Sequence, residues 1–215
     1  MKVLVIGATG GSGRAAVEEL RCAGHDVTAF ARRPEELSGM VRVAKGDATN
    51  ANDVERAVAG HDAVVVTLGI RENALMVRLR GSKGTPLDVR SAGTRNVVAA
   101  MRKHGVRKLV VQTSFGVGET RDRLPLRYRL MFGLLLRDQI ADTERQEQLV
   151  RESGLDWVLV QPVSLTDVED EGPAFASPAG EVHRMFVSRR RVGRFLAEAA
   201  ASPRYVGASV ALSSE

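Results

Sequence analysis

Apolar residues recur along this chain in two alternating rhythms. Short, β-rich apolar runs fall near residues 2–6, 26–31, 41–44, 62–68, 107–112 and 157–161. Between them, stretches with helical spacing of apolar positions fall near 12–23, 52–59, 86–104, 139–153 and 189–201. Strands that alternate with helices in this way pack as a parallel sheet with helices on both faces. The pattern therefore predicts a doubly wound α/β architecture in a single domain over residues 1–215, with a late strand near 207–212 completing an edge.

The ends of several helices are readable. Asn52, followed three residues later by Glu55, has the spacing of a reciprocal cap and leaves Val54, Ala57 and Val58 for the core. Gly24, Gly105 and Gly154 each stand between a helical stretch and a strand, where a residue free to take positive φ ends a helix. Three segments break the rhythm: residues 70–85, 115–138 and 163–187 read as long connections after the fourth, fifth and sixth strands. They leave the carboxyl ends of strands, where ligands bind in open α/β sheets, and are expected to wall a pocket.

Composition narrows the class. A chain of 215 residues with 44% hydrophobic content fits one compact domain and would make two cramped. Met1 to Gly7 reads as a first strand, lacking the basic start and longer apolar stretch of a secretory signal. The longest later apolar run, Leu130 to Leu136, contains Gly133, is flanked by Arg129 and Arg137, and falls short of the roughly 20 residues that span a bilayer. A cytoplasmic protein without integral membrane association is expected. Cys22 is the sole cysteine, so neither an internal disulfide nor a cysteine metal cluster is available, and its place on the first helix suggests a small core residue. The net charge of +5 and the run Arg189-Arg190-Arg191 raise nucleic acid as a partner. Arginines are scattered, acidic residues nearly match them, aromatics are scarce and no nucleic-acid module is present, so no nucleic-acid partner is expected.

The strongest chemical signal is Gly7-Ala8-Thr9-Gly10-Gly11-Ser12-Gly13, a G-x-x-G-x-x-G loop between the first strand and the first helix. Glycines there let the backbone turn tightly and approach a pyrophosphate, while free N–H groups and the positive helix end bind its charge. The whole pattern is that of a Rossmann-type dinucleotide fold. Thr9 and Ser12 either add hydroxyl contacts or cap the helix. At the end of the second strand, where an NAD binder offers a carboxylate to the ribose, stand Arg32 and Arg33. Forked, permanently charged donors suit a 2′-phosphate, which makes NADP(H) the expected cofactor, the alternative being solvated surface arginines. Asp47, with Ala48 beside it, is placed to accept from the adenine amino group or to cap a turn.

Leu68-Gly69 falls where the backbone would pass the cofactor ribose, and Thr113-Ser114 ends the fifth strand near the nicotinamide. The Ser114 hydroxyl would bond a substrate carbonyl or ring nitrogen, or else close the strand on backbone. Gln161-Pro162-Val163 ends the sixth strand, and its backbone groups are candidates to fix the carboxamide. A Tyr-x-x-x-Lys acid–base pair is absent: four residues after Tyr128 and Tyr205 stand Phe132 and Ser209. His25, His61 and His104 read as solvated residues near turns or helix ends, and His183 lies in a pocket segment without a partner motif. No metal-ligand spacing and no Ser/His/Asp arrangement is evident.

These residues resemble the atypical short-chain dehydrogenases with G-x-x-G-x-x-G loops, and among them the flavin reductase/biliverdin reductase B group and NmrA-like proteins. The likeness covers about residues 1–165: the loop 7–13, Val27-Thr28 leading to Arg32, Gly46-Asp47, Val58 to Val64, Leu68-Gly69 to Arg71, Gly93 to Met101, Thr113-Ser114 and Arg151 to Leu155. It implies that residues 7–13 hold the pyrophosphate and Arg32 the 2′-phosphate, that Ser114 lies beside the nicotinamide, and that Arg71 lines the substrate side. Where such reductases place a histidine on the helix before the last core strand, this chain has Glu147, and where relatives keep Tyr and Lys it has Gln139 and Thr143. Two functions are consistent with this. One is an NADPH-dependent oxidoreductase passing hydride to a small conjugated acceptor such as a flavin or quinone, with Ser114 and Arg71 as the catalytic candidates. The other is a non-catalytic NADP(H) redox sensor of NmrA-like type. The oligomeric state is not legible from the sequence.

Overall fold

The computed structural model describes residues 1–70, 76, 81, 82, 84–168 and 172–215, with residues 130–132 described by backbone alone. The first half follows the expected alternation: β1 (Lys2–Ile6), α1 (Gly11–Cys22), β2 (Asp26–Ala31), β3 (Arg42–Lys45), α2 (Ala51–Val58), β4 (Ala63–Val66) and α3 (Val89–His104). The second half holds β5 (Lys108–Gln112), α4 (Leu126–Leu135), α5 (Arg137–Arg151), β6 (Asp156–Pro162), β7 (Ser164–Thr166), β8 (Phe175–Ser177), β9 (Phe186–Ser188), α6 (Arg189–Ala201) and β10 (Ala208–Ser213).

The main sheet runs in the order β3-β2-β1-β4-β5-β6-β10-β8. Every neighbour pair is parallel except β8 with β10. This is a Rossmann-type doubly wound sheet, and its strand order reverses between β1 and β4. Burial on both faces explains the near-continuous apolar strands. Val3 and Val5 point to one face with Ala16, Val17 and Leu20 of α1 and Val192 and Leu196 of α6. Leu4 and Ile6 point to the other, with Val54 and Val58 of α2, Val97 and Met101 of α3 and Val150 of α5.

Several details differ from the sequence expectation. The late strand β10 is not an edge, because β8, folded from the 163–187 segment, adds outside it. That segment also contributes β7 and β9, which pair with each other. The 115–138 stretch is not an open connection: it holds a 3-10 turn at Gly118–Arg123 followed by α4. Helix α2 is capped by Asn50 and not Asn52, the Asn50 side chain accepting from the N–H groups of Asn52 and Asp53. Cys22 is exposed, its Sγ 3.4 Å from Glu18 Oε1, while Leu20 in the same last turn of α1 is fully buried. Gly24, Gly105 and Gly154 do take positive φ, and Val54, Ala57 and Val58 are buried as expected. His61 is half-buried and not merely solvated: its Nε2 lies 2.9 Å from Thr28 Oγ1, and burial pushes the imidazole below its usual pKa. Among the described residues no helix is long and apolar enough to cross a membrane.

Candidate functional site

The glycine loop sits at the reversal of strand order. Gly7 leaves β1 with φ +85°, and the N–H groups of Gly7 and Ala8 donate to the Phe30 carbonyl at 3.1 and 3.3 Å. The Gly10 N–H closes the turn on the Gly7 carbonyl at 2.9 Å. A Cβ on Gly13 would overlap that same carbonyl oxygen, so the third glycine is required by close packing of helix on loop. Helix α1 begins without a side-chain cap and without an acidic residue in its first turn, which answers the Thr9 and Ser12 alternative against capping. Gly10, Gly11 and Ser12 line an open cleft of about 1170 Å³. An uncapped helix start at the wall of a cleft offers N–H groups and a positive dipole end to an anion.

One end of the cleft is lined by Arg32 and Arg33 at the end of β2. Arg32 also reaches across it: Nη1 donates to the Gly84 carbonyl and Nη2 to Thr85 Oγ1 at 2.9 Å. Asp47 lines the same end, but its Oδ1 accepts from the Thr49 N–H and hydroxyl at 2.9 and 2.8 Å, the turn-capping alternative. Ala48 presents its methyl beside Gly93, and its carbonyl accepts from Asn96 Nδ2 at 2.9 Å.

Midway, Thr67, Leu68 and Gly69 form the floor. Arg90, a residue the sequence reading missed, lines it as well and donates from Nη1 to the Leu68 carbonyl at 2.8 Å. Its guanidinium crowds Gly69, where a Cβ would lie 3.1 Å from Nη2. Burial lowers the Arg90 pKa, an effect opposed by the nearby Asp142 carboxylate. Asp142 of α5 is buried and accepts from the Arg90 and Ser91 N–H groups at 3.0 and 3.3 Å, so it caps the start of α3 from a neighbouring helix.

The other end lies beyond β5 and β6. Ser114 lines the cleft, and in this structure its hydroxyl donates to the Phe115 carbonyl at 3.3 Å, the strand-closing contact. Thr113 reaches the cleft but turns its hydroxyl inward, donating to the buried Glu147 at 2.7 Å. Gln161 was expected to contribute backbone groups, and its side chain turns away from the cleft. It is fully buried, lies outside the cleft lining, and its amide donates to Glu147 Oε1 and the Val117 carbonyl at 2.9 and 3.3 Å. Pro162 and Val163 do line the cleft, yet the Val163 N–H is held by the Leu212 carbonyl and the Pro162 carbonyl by the Phe115 N–H. The Val163 N–H is thus committed to the sheet, and the Pro162 carbonyl already accepts one bond. Gln139 and Thr143 lie outside the lining, the Thr143 hydroxyl bonding the Gln139 carbonyl at 2.8 Å. Arg71 lies outside the described residues.

Glu147 is buried at the centre of a polar network, also accepting from both Nη groups of Arg151 at 3.1 Å. Its bonds to Thr113 and Gln161 fix the ends of β5 and β6 against α5. The remaining walls come from inserted segments: Leu124 and Tyr128, then Leu165 and Met185. Arg189 lines the cleft near the glycine loop. The Arg189-Arg190-Arg191 run was visible in the sequence, but nothing there joined it to residues 7–13. Among the described residues, no cluster of His, Cys, Asp and Glu is arranged to hold a metal ion.

A glycine turn that only glycines can fill, opening a helix at the reversal point of a parallel sheet, defines a dinucleotide-binding α/β protein. The chain belongs to the NAD(P)H-binding family, whose model matches residues 7–203. It is 28% identical over 211 residues to an uncharacterised chloroplastic protein of Arabidopsis thaliana, covering 92% of this chain and 71% of the relative. It spans about a third of the length of other curated relatives that it matches. Among solved structures, the anaerobilin reductase ChuY of Escherichia coli O157:H7 superposes with TM-score 0.78 at 24% identity, over 99% of this chain and 96% of that one. A Veillonella parvula short-chain dehydrogenase/reductase in complex with NADP gives TM-score 0.77 at 17% identity, over 99% and 94%. At these identities the structural likeness establishes the fold alone.

Proposed function

We propose that this protein is an NADPH-dependent reductase that passes hydride to a small, flat, conjugated acceptor of the flavin or quinone kind. The carrying observation is the character of the far end of the cleft. It is walled by Phe115, Leu124, Tyr128, Leu136, Val163 and Leu165, with the Ser114 hydroxyl among them and no Tyr-x-x-x-Lys pair in the chain. Such a lining suits an apolar ring system stacked on the nicotinamide, and an acceptor of this class can take its proton from solvent once reduced.

In this reading the first-turn N–H groups of Gly11 and Ser12 bind the pyrophosphate, and Arg32 and Arg33 bind the 2′-phosphate. Bound NADPH supplies the hydride. Ser114 turns its hydroxyl from the Phe115 carbonyl toward the acceptor and orients it. Arg90 holds the Leu68 carbonyl and so fixes the floor on which the ribose rests. The test is oxidation of NADPH, followed at the reduced-nicotinamide absorbance band, with FMN, a quinone and biliverdin added in turn. Acceptor-dependent oxidation that falls about 10-fold or more in Ser114→Ala supports the reductase.

A second reading, a redox sensor that binds NADP(H) without turnover, draws on Leu126 and Leu134. These side chains of α4 are 71% and 69% exposed, as a helix that docks on a partner would present them. Tight NADPH binding with no oxidation in the presence of every acceptor would favour it.

A further inference from the structure

We propose that Arg189 is a phosphate-binding residue of the nucleotide cleft, completing from the far end of the chain the anion site that the glycine loop begins. The proposal rests on the cleft being the nucleotide site.

The geometry follows from how two helices pack. Helix α6 lies against α1, and the contact is close: a Cβ on Gly193 would fall 2.5 Å from the Ala15 carbonyl carbon. Gly193 stands one turn after Arg189, and Ala15 one turn after Gly11. Fixing the second pair therefore brings the first residues of the two helices together. The Ser188 hydroxyl accepts from the Arg191 N–H at 3.2 Å and secures the start of α6. The Arg189 side chain consequently lies across the opening of α1. Its Cδ and Nε come within 2.5 and 2.7 Å of where a Cβ on Gly11 would be. Gly11 does not have positive φ, so what a side chain there would meet is Arg189 and not the turn.

Charge points the same way. Arg189 lines the cleft beside Gly10, Gly11 and Ser12. Its Nη1 is bonded to Asp167 Oδ1 at 2.6 Å, a carboxylate whose side chain is 85% exposed. An ion pair so open to water contributes little and exchanges readily for a better anion. A guanidinium carries five donors in a fork, so Nη2 and Nε remain to meet phosphate oxygens. The first turn of α6 has no acidic residue, and Arg190 is paired with Glu19 at 3.6 Å, so an anion beside Arg189 would meet both its guanidinium and the positive end of the helix. Asp167 is then a placeholder that competes with the pyrophosphate for the same guanidinium.

The test is titration of the full chain with NADPH and with NADH, for the wild type and for Arg189→Met, Arg189→Lys and Asp167→Asn, alongside thermal melting. Arg189→Met is expected to weaken both nucleotides by about 10- to 100-fold and by the same factor, because the pyrophosphate is common to them. Arg189→Lys recovers part of the loss, and Asp167→Asn binds as tightly as the wild type or tighter, since a competitor has gone. Wild-type affinity in Arg189→Met overturns the proposal. So does equal weakening in Asp167→Asn and Arg189→Met, which would make the ion pair a structural contact. If the wild type binds neither nucleotide, the reading of the cleft itself has failed and this inference falls with it.

Discussion

The phosphate end of the cleft and the acceptor end are built from different material. In the proposed reading the phosphate end is largely backbone, the Gly7–Gly13 turn, the ends of β1, β2 and β4 and the first turn of α1, all within the first 70 residues, to which Arg32, Arg33 and Arg189 add side chains. The acceptor end is side chain. It is assembled from the ends of β5 and β6, from α4 and from the strands of the 163–187 segment, and it is held by a buried carboxylate. Backbone geometry is fixed by a few glycines whose spacing can be read locally. A side-chain wall depends on which residues distant in sequence meet in space.

Substitutions at the two ends should therefore fail differently. The largest effect is expected at Gly13→Ala, whose methyl would collide with the Gly7 carbonyl and push α1 from the loop. NADPH affinity in calorimetric titration should fall on the order of 100-fold or more, with NADH affected alike. Glu147→Ala should do the reverse. It removes the acceptor shared by Thr113, Gln161 and Arg151, and stability should fall by about 3 kcal/mol in denaturant unfolding, as when one partner of a buried pair is deleted. In the folded fraction of Glu147→Ala, NADPH affinity should stay near the wild-type value while acceptor-dependent oxidation drops. If both properties of that variant fall together, the two ends are not separable and the comparison breaks.

The same contrast explains what the sequence disclosed. The apolar runs at Lys2–Ile6 and Ala63–Val66 and the positive-φ stops at Gly24, Gly105 and Gly154 are local properties, and the sheet and its helices follow from them. The glycine loop, Arg32 and Arg33 were legible for the same reason; Gly7, Thr9, Gly10, Gly11, Ser12 and both arginines line the cleft, while Gly13 packs beneath the loop against the Gly7 carbonyl. The direction of the Gln161 side chain was not legible because a strand end offers two faces, and only the buried Glu147 shows which one its amide takes. Arg90 and Arg189 were missed because their sites are set by contacts across the fold: Arg90 with the Leu68 carbonyl, Arg189 with Gly11. The misreading of Cys22 has a simpler cause. Helical periodicity gives a face only approximately: Leu20 takes the buried side of the last turn, and Cys22 turns to Glu18 on the exposed side.

The central claim is that this cleft takes NADP(H) through its backbone turn and the arginines after β2. The most direct measurement compares Kd for NADPH and NADH in the wild type and in the double variant Arg32→Ala/Arg33→Ala. The expected result is a wild type that binds NADPH about 10- to 100-fold more tightly than NADH, with that preference lost in the double variant while NADH affinity is retained. A double variant that still binds NADPH much better than NADH, or a wild type that does not distinguish them, would contradict it.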